Sequence, residues 1–417
     1  MLKRIIIGVF IFITGVSMAQ EGTTSPYSFY GIGIQKFKGT AENRSMAGIG
    51  VFSDSIHLNL QNPASVADLG LVTYTVGGSH KTITQKNASE SQKTSTTSLD
   101  YIAVGIPMGK FGASFGIIPF SSVGYRLRSI EGDITTQSSG KGGLNRAFLS
   151  VAYKVTPKLS VGFDTNYNFG SIENTVFSKD SNIELGTSEL NSSDLLGFSF
   201  NLGASYKTMI TTDLELSSSL IYTPGTNFVS ENSREISTVE VTATGVVIPQ
   251  ETETITVADS EFTYPSQLSL GVGIGKPKNW AVALEYANQK TSNFTNRFVD
   301  LDNSLSNVEF VNASKFKIGG FYIPNYNSIG SYWKRIVYRA GIRFEQNGVK
   351  IEGKDISEFG ISFGVGIPAG RLFSNINLGF EVGKRGTTDF GLIQENFFNT
   401  FLSLSLNDKW FEKRYYD

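Results

Sequence analysis

The sequence predicts an all-β protein, a 14-stranded antiparallel transmembrane β-barrel with an N-terminal hatch in its lumen. Three observations carry this reading. Segment after segment alternates apolar residues with small or polar ones. The links between these segments alternate between short and long. Residues 20–70, which follow an export signal, obey neither pattern.

Composition narrows the function classes. Lys plus Arg number 36 against 37 Asp plus Glu, a formal charge of −1, so no nucleic-acid partner is indicated. Charged residues are 18 % of the chain, below the roughly 25 % of soluble domains. There is no Cys and only two His, His57 and His80, far apart in sequence. Disulfides, thiolate metal sites and a cysteine nucleophile are therefore excluded, and no metal or cofactor is predicted.

The first element is an address. Lys3 and Arg4 precede an apolar run from Ile5 to Val16, then Ser17-Met18-Ala19. This is the pattern of a secretory signal peptide, residues 1–19, cut after Ala19. The run is too short for a bilayer core roughly 30 Å thick. Gln20, not Cys, follows the cut, so no lipid anchor is expected.

The barrel is assigned to 71–407. Its predicted strands are 71–80, 98–107, 109–130, 143–155, 158–171, 193–208, 213–222, 264–275, 279–288, 307–322, 333–345, 358–367, 374–383 and 396–407. The segment Phe359 to Ile367 shows the rule: Phe, Ile, Phe, Val and Ile interleave with Gly, Ser, Gly and Gly. Short links such as Met108, Thr156-Pro157 and Lys276-Pro277-Lys278 mark one end. Long polar links mark the other: 81–97, 131–142, 172–192, 223–263, 289–306, 346–357 and 384–395. In an outer-membrane barrel the long loops lie outside the cell and both termini in the periplasm. The longest, 223–263, is expected to form a hairpin standing above the membrane. Tyr74, Tyr101, Tyr206, Tyr222, Tyr264, Trp280, Tyr286 and Trp333 sit near strand ends, where interfacial girdles belong. A secreted β-sandwich or propeller also alternates. The Gly and Ser on the non-apolar face, where a soluble surface carries Lys and Glu, and the absence of a blade repeat weigh against both.

The third segment, 109–130, is long for one crossing and has Pro119 at its middle. Proline gives the ladder no N–H. Kept as one strand bent at Gly116, Ile118, Pro119 and Phe120, it preserves the even count and marks a wall defect where a lateral gap opens. A plain tight turn is the alternative.

Residues 20–70 are rich in small residues and Gly, and the economical place for them is the lumen, with inward Gly and Ser making room. Gly48, Gly50 and then Asn62-Pro63-Ala64, just before the first strand, resemble the long-chain fatty-acid transporter (FadL-like) family. The resemblance covers the organisation of the whole mature chain. Its residue-level motif is three residues plus the glycine spacing, and Gly116-Ile117-Ile118-Pro119 departs from the family's kink in detail. It implies a 14-stranded barrel with an N-terminal hatch, the hatch motif at Asn62, Pro63 and Ala64, and a third-strand kink. It also implies passive uptake of hydrophobic compounds, fatty acids or aromatics, through a hatch-gated lumen and lateral wall opening. A PorV-related branch of that family resembles subunits of the type IX secretion machinery. The tail 408–417, assigned to the periplasm, is similar to barrel ends from bacteria with that machinery.

The expected partners are outer-membrane lipid, a hydrophobic small molecule and, in the accessory alternative, another outer-membrane or secretion-machinery protein. Phe29, Tyr30, Ile32 and Phe52 are candidates for a ligand pocket, or for packing of the hatch against the wall. Lys207, Glu215, Glu285, Arg339, Arg343, Glu345 and Glu381 face the lumen by alternation. They anchor the hatch through Lys36, Lys38, Glu42 and Arg44, or line a polar path. Catalysis is not expected: Gly112-Ala113-Ser114-Phe115-Gly116 matches a nucleophile elbow but sits inside an alternating strand. His57 beside Asp54 says nothing about triad geometry.

Overall fold

The computed structural model describes residues 22–242, 247–293, 308–369 and 374–409. The export signal and most of the C-terminal tail lie outside the described residues. Alternating strands with one greasy face bury no core of their own. They close instead into an antiparallel barrel of 14 strands.

The strands are β1 (Val72–Lys86), β2 (Ser91–Met108), β3 (Phe111–Pro119 and Ser121–Glu131), β4 (Ile134–Lys154), β5 (Leu159–Asp180) and β6 (Leu185–Met209). They continue as β7 (Glu215–Thr223 and Thr226–Val241), β8 (Val247–Thr256, Ser260–Tyr264 and Gln267–Lys276), β9 (Trp280–Gln289) and β10 (Val308–Phe310 and Ala313–Tyr322). The last four are β11 (Val337–Ile351), β12 (Lys354–Pro368), β13 (Asn375–Arg385) and β14 (Gln394–Asp408). Sequence neighbours pair, and β1 closes the ring on β14 from Val72↔Asp408 to Lys86↔Gln394.

Alternation becomes two surfaces. Phe363, Phe380 and Leu402 are exposed on the outside, while Ser362, Glu381 and Ser403 are buried within. An exterior of exposed Leu, Ile, Val and Phe around a closed ring is the surface of a barrel that spans a lipid bilayer. No described helix is long and apolar enough to cross a membrane.

Several expected loops are strand. The ladder of β1 and β2 runs to Lys86↔Ser91, through most of 81–97. That of β4 and β5 runs to Ile134↔Asp180. Above the apolar belt the outer face of these strands turns polar, so the period-two signal fades while the hydrogen-bond ladder continues. Most of the described part of 223–263 is likewise strand: Thr226–Val241 pairs with β6 on one side and with Val247–Thr256 and Ser260–Tyr264 on the other.

Two girdle expectations are corrected. Tyr101 is buried. A register shift pairs Gly77 with Tyr101 but Gly78 with Leu99, so Asp100 is extra and the parity of β2 flips there. Tyr264 is also buried. The ladder of β8 breaks at Pro265-Ser266, putting Leu268 outside and Tyr264 inside. β7 does the same at Pro224-Gly225 and β3 at Phe120, next to Pro119. These three breaks each turn a run of side chains inward. Phe120, Val123, Tyr125, Phe228, Phe262 and Tyr264 thereby join Ile32, Leu144, Ile172 and Leu195 in one buried apolar cluster.

The third strand leaves a seam. Its first half pairs with β2 only from Ile102↔Ile117 downward. Its second half pairs with β4 and, through Ser121 and Ser122, with the short inner strand Ile34–Gln35. Among the described residues, no ladder joins 91–101 of β2 to Ser121–Glu131.

Candidate functional site

Residues from Thr23 to Gly70 are mostly buried and touch inward-facing side chains on strands around the ring. A single-turn helix, α1 (Ala41–Ser45), forms the first anchor. Its start is set by Asn43, whose carboxamide oxygen accepts from the Thr40 amide at 3.3 Å and the Thr40 hydroxyl at 2.9 Å. The Ala41 amide donates to the Tyr101 hydroxyl at 3.0 Å, which the inward flip of Tyr101 makes possible.

The helix offers its charges to the wall. Asn377 of β13 donates to Glu42 at 2.8 Å. Arg44 bridges Asp100 of β2 at 3.2 Å and Glu381 of β13 at 3.4 Å. The turn after α1 is fastened through its backbone: Ala47 N–H to Ser362 at 2.8 Å, Gly50 N–H to Glu285 at 2.8 Å, and Lys317 to the Gly48 carbonyl at 2.9 Å. A β-carbon at Gly319 or Gly341 would run into the backbone of Met46 and Ala47, so these inward glycines let the segment seat against β10 and β11.

Asn62, Pro63 and Ala64 form the second anchor. Asn62 caps a 3₁₀ turn over Pro63–Asp68, its side-chain oxygen accepting from Ala64 N–H at 3.0 Å. Its amide donates to the Ala204 carbonyl of β6 at 3.2 Å. A side chain at Gly162 or Gly203 would collide with Asn62, Pro63 or Ala64. Asp68 ends the turn, held by Lys154 at 2.8 Å and Lys207 at 2.9 Å and by the Ser53 hydroxyl at 2.7 Å. Burial alone pushes the Asp68 carboxyl up, but the two lysines outweigh it and hold it below the usual range.

Of the pocket candidates, Tyr30 and Ile32 line a cavity of about 350 Å³ between the segment and the wall. Phe29 does not, and stands edge-on to Tyr30 and Tyr125. Phe52 packs against Phe321. At the kink, Ile118, Pro119 and Phe120 border the cavity, whereas Gly116 sits in the ladder, where a β-carbon would strike the Ile102 carbonyl. The Phe120 ring is buried among Phe228, Tyr264 and the Arg146 guanidinium, the last 4.0 Å above it.

The inward charges form networks. Arg343 contacts Glu358, Glu381 and, at 3.2 Å, Glu345. Arg385 contacts Glu358 and, at 3.3 Å, Glu395. Glu285 holds Lys317 at 2.8 Å, and Asp164 holds Lys38 at 3.0 Å. Sequence reasoning missed Lys81, Asp100, Arg146, Asp164, Glu358, Arg385 and Glu395. Lys81 shares parity with Thr75 and Ser79, and Arg385 with Glu381. Alternation carried past the expected strand ends would have found both.

Among the described residues, Ser114 and His57 are not brought together into a catalytic set. Ser114 lies in the ladder between Gly105 and Ser150. His57 Nδ1 meets Asp54 at 2.6 Å and its Nε2 lies 3.4 Å from Asn375.

A family model described as BamG matches residues 1–417. No curated protein sequence matches. Solved structures do. The toluene transporter TodX of Pseudomonas putida is 16 % identical with a TM-score of 0.56, covering 89 % of this chain and 98 % of its own. The CymD monoaromatic hydrocarbon channel is 14 % identical with a TM-score of 0.56 over the same shares, 89 % and 98 %. A FadL homologue of Pseudomonas aeruginosa is 11 % identical with a TM-score of 0.56, covering 90 % and 98 %. At these identities the likeness establishes the fold, a FadL-type barrel.

Proposed function

The chain belongs to the BamG family, and from that premise we propose that it is an accessory outer-membrane barrel, a subunit that docks onto another outer-membrane or secreted protein with its hatch shut. The observation that supports this most is how the lumen is filled. Charged and hydrogen-bonded contacts fasten the N-terminal segment on several sides, and the lumen's aromatic side chains pack on one another. The Phe228 and Tyr264 rings stack at 5.8 Å, and Phe120 meets Tyr264 at 5.2 Å. The cavity that stays open sets Lys36, Arg44, Asp100, Arg343 and Glu381 beside Tyr30, Ile32 and Phe120, a lining too charged for a purely hydrocarbon path. The raised strands Thr226–Val241 and Val247–Thr256 offer a polar surface above the belt for a partner. A secretion-machinery role like that of PorV is one form of this reading. In the orientation it assumes, the long strands face outward and both termini lie in the periplasm.

The test is affinity capture of the tagged chain from gently solubilised native membranes after cross-linking. A partner barrel or secreted protein in near-equal amount is expected. Recovery of the chain alone, at every cross-linker concentration, would refute the accessory role.

A second reading is favoured by the seam beside Pro119 and by the hydrocarbon channels that share the fold: passive uptake of hydrophobic compounds with lateral exit. Burial of apolar area, at about 25 cal/mol per Å², drives such entry without ATP. Uptake of labelled toluene and oleate by cells with and without the gene discriminates. Equal uptake removes this reading, and a gene-dependent rate revives it over the first.

A further inference from the structure

The cavity behind the seam carries a charge imbalance that the hatch does not use. Its carboxylates are all taken: Asp100 by Arg44, Glu285 by Lys317, Glu345 by Lys315, Glu358 by Arg385, and Glu381 by Arg343. Three lining cations, Lys36, Lys81 and Arg146, have no carboxylate within 4.0 Å among the described residues. Lys36 donates to the Gly22 carbonyl, and Lys81 lies 4.5 Å over the Phe397 ring. Arg146, only 6 % exposed, donates to Asn168 at 2.7 Å. Arg146 is buried and Lys36 and Lys81 are half-buried, and without a direct ion pair each has room for an anion as a further partner.

The position of the seam says where such an anion comes from. On the outer face of β2, Leu99 and Ile102 are exposed apolar residues, and Lys93, Ser95 and Thr97 above them are exposed and polar. On β3 the outward Ile117 gives way to Arg126 and Arg128. The seam thus begins where the apolar belt ends, at the level of lipid headgroups.

We propose that this cavity is a binding site for a phosphate-class anion, supplied by a phosphorylated lipid headgroup entering at the seam or by a free phosphate compound. Lys36, Lys81 and Arg146 are its ligands. The proposal is independent of either reading of the barrel's function, since it needs neither a partner protein nor transport.

The experiment uses the full mature chain in detergent and native mass spectrometry, with three probes: a bis-phosphorylated glucosamine lipid, the same lipid dephosphorylated, and inorganic pyrophosphate. Retention of the phosphorylated lipid and loss of its dephosphorylated form are expected. Lys36→Gln and Lys81→Gln, each checked for the heat-modifiable gel mobility of a folded barrel, should weaken retention about tenfold each. Lys158→Gln, in an exposed turn at the opposite end, should change nothing. Pyrophosphate that competes identifies a free anion as a sufficient ligand. Pyrophosphate that fails while the lipid binds identifies the headgroup. Equal retention of the dephosphorylated lipid, no retention of either phosphorylated probe, or folded Lys36→Gln and Lys81→Gln chains that bind like the parent would overturn the proposal.

Discussion

Replacing Arg44 by Met tests whether the N-terminal segment is a fixed plug. Arg44 ties α1 to β2 and β13 at once, through Asp100 at 3.2 Å and Glu381 at 3.4 Å, and its guanidinium lies 5.2 Å from the Phe401 ring centre. Met keeps much of the stem's packing and removes the charge. Stripping one partner from a buried pair costs about 3–5 kcal/mol when the other is left bare. Neither carboxylate is left bare here. Asp100 keeps the Ser79 and Ser98 hydroxyls at 2.9 and 3.0 Å, and Glu381 keeps Arg343 and Asn399. The cost therefore falls to about 2–3 kcal/mol, a shift of roughly 30- to 140-fold toward any state with the segment displaced. Single-barrel conductance in a planar bilayer reads that population. The parent should be closed with rare openings, and Arg44→Met should open more often by that factor. Unchanged opening in a variant of normal gel mobility, or a parent that conducts steadily, would refute the reasoning.

Gly203→Val should be more severe than Asn62→Ala, because a side chain at 203 meets Asn62 and Pro63 head-on whereas the alanine loses chiefly a cap of about 1 kcal/mol; the temperature at which gel mobility shifts ranks the two, and the reverse order would count against the seating described. His57 should titrate above its ordinary 6.5, since burial lowers its pKa but Asp54 raises it more. A raised folded value means its contribution is complete below about pH 6.5 and fades as pH climbs through that value. With His80 the only other histidine, ring-proton shifts resolve it, and a value at or below 6.5 contradicts the pair. Tyr101→Phe removes the acceptor of the Ala41 amide and should free that amide to exchange by about 1 kcal/mol; unaltered exchange would show that α1 is held from elsewhere.

The barrel was legible because its signal is physical and repeated. A strand that meets lipid on one side and a packed lumen on the other must alternate, and Phe359 to Ile367 does so without exception. The signal fails where that asymmetry fails. From Thr82 to Lys86 only Ile83 is apolar, and from Ser91 to Thr97 nothing is, so a continuous ladder looked like a loop. Tyr101 misled for another reason: one extra residue, Asp100, reverses every facing beyond it, and no local composition announces a bulge. The inward facing of the charges was legible as parity, and Glu285, Arg343 and Glu381 are where parity puts them. Their partners were not, because Asp100 is the extra residue of the bulge and Glu358 and Glu395 lay at or just beyond the expected strand ends. Of the four pocket candidates, the apolar character of Phe29 and Phe52 could not separate a ligand wall from simple packing.

The prolines carry more information than their number suggests. With 11 in the chain, three stand at breaks that invert strands: Pro119, Pro224 and Pro265. Each lacks the N–H that would bind the next strand, so the ladder lapses there and resumes with the opposite face inward. Below the breaks, Ile117, Tyr222 and Leu268 face outward; above them, Val123, Phe228 and Phe262 face inward. One wall thus serves two solvents in turn, lipid outside the belt and then a dry interior over the N-terminal segment. Phe228 and Phe262 are spent on that interior, whereas Phe120 and Tyr264 also border the open cavity. Sharing 14 strands with hydrocarbon channels therefore decides less about this barrel than where its strands turn over.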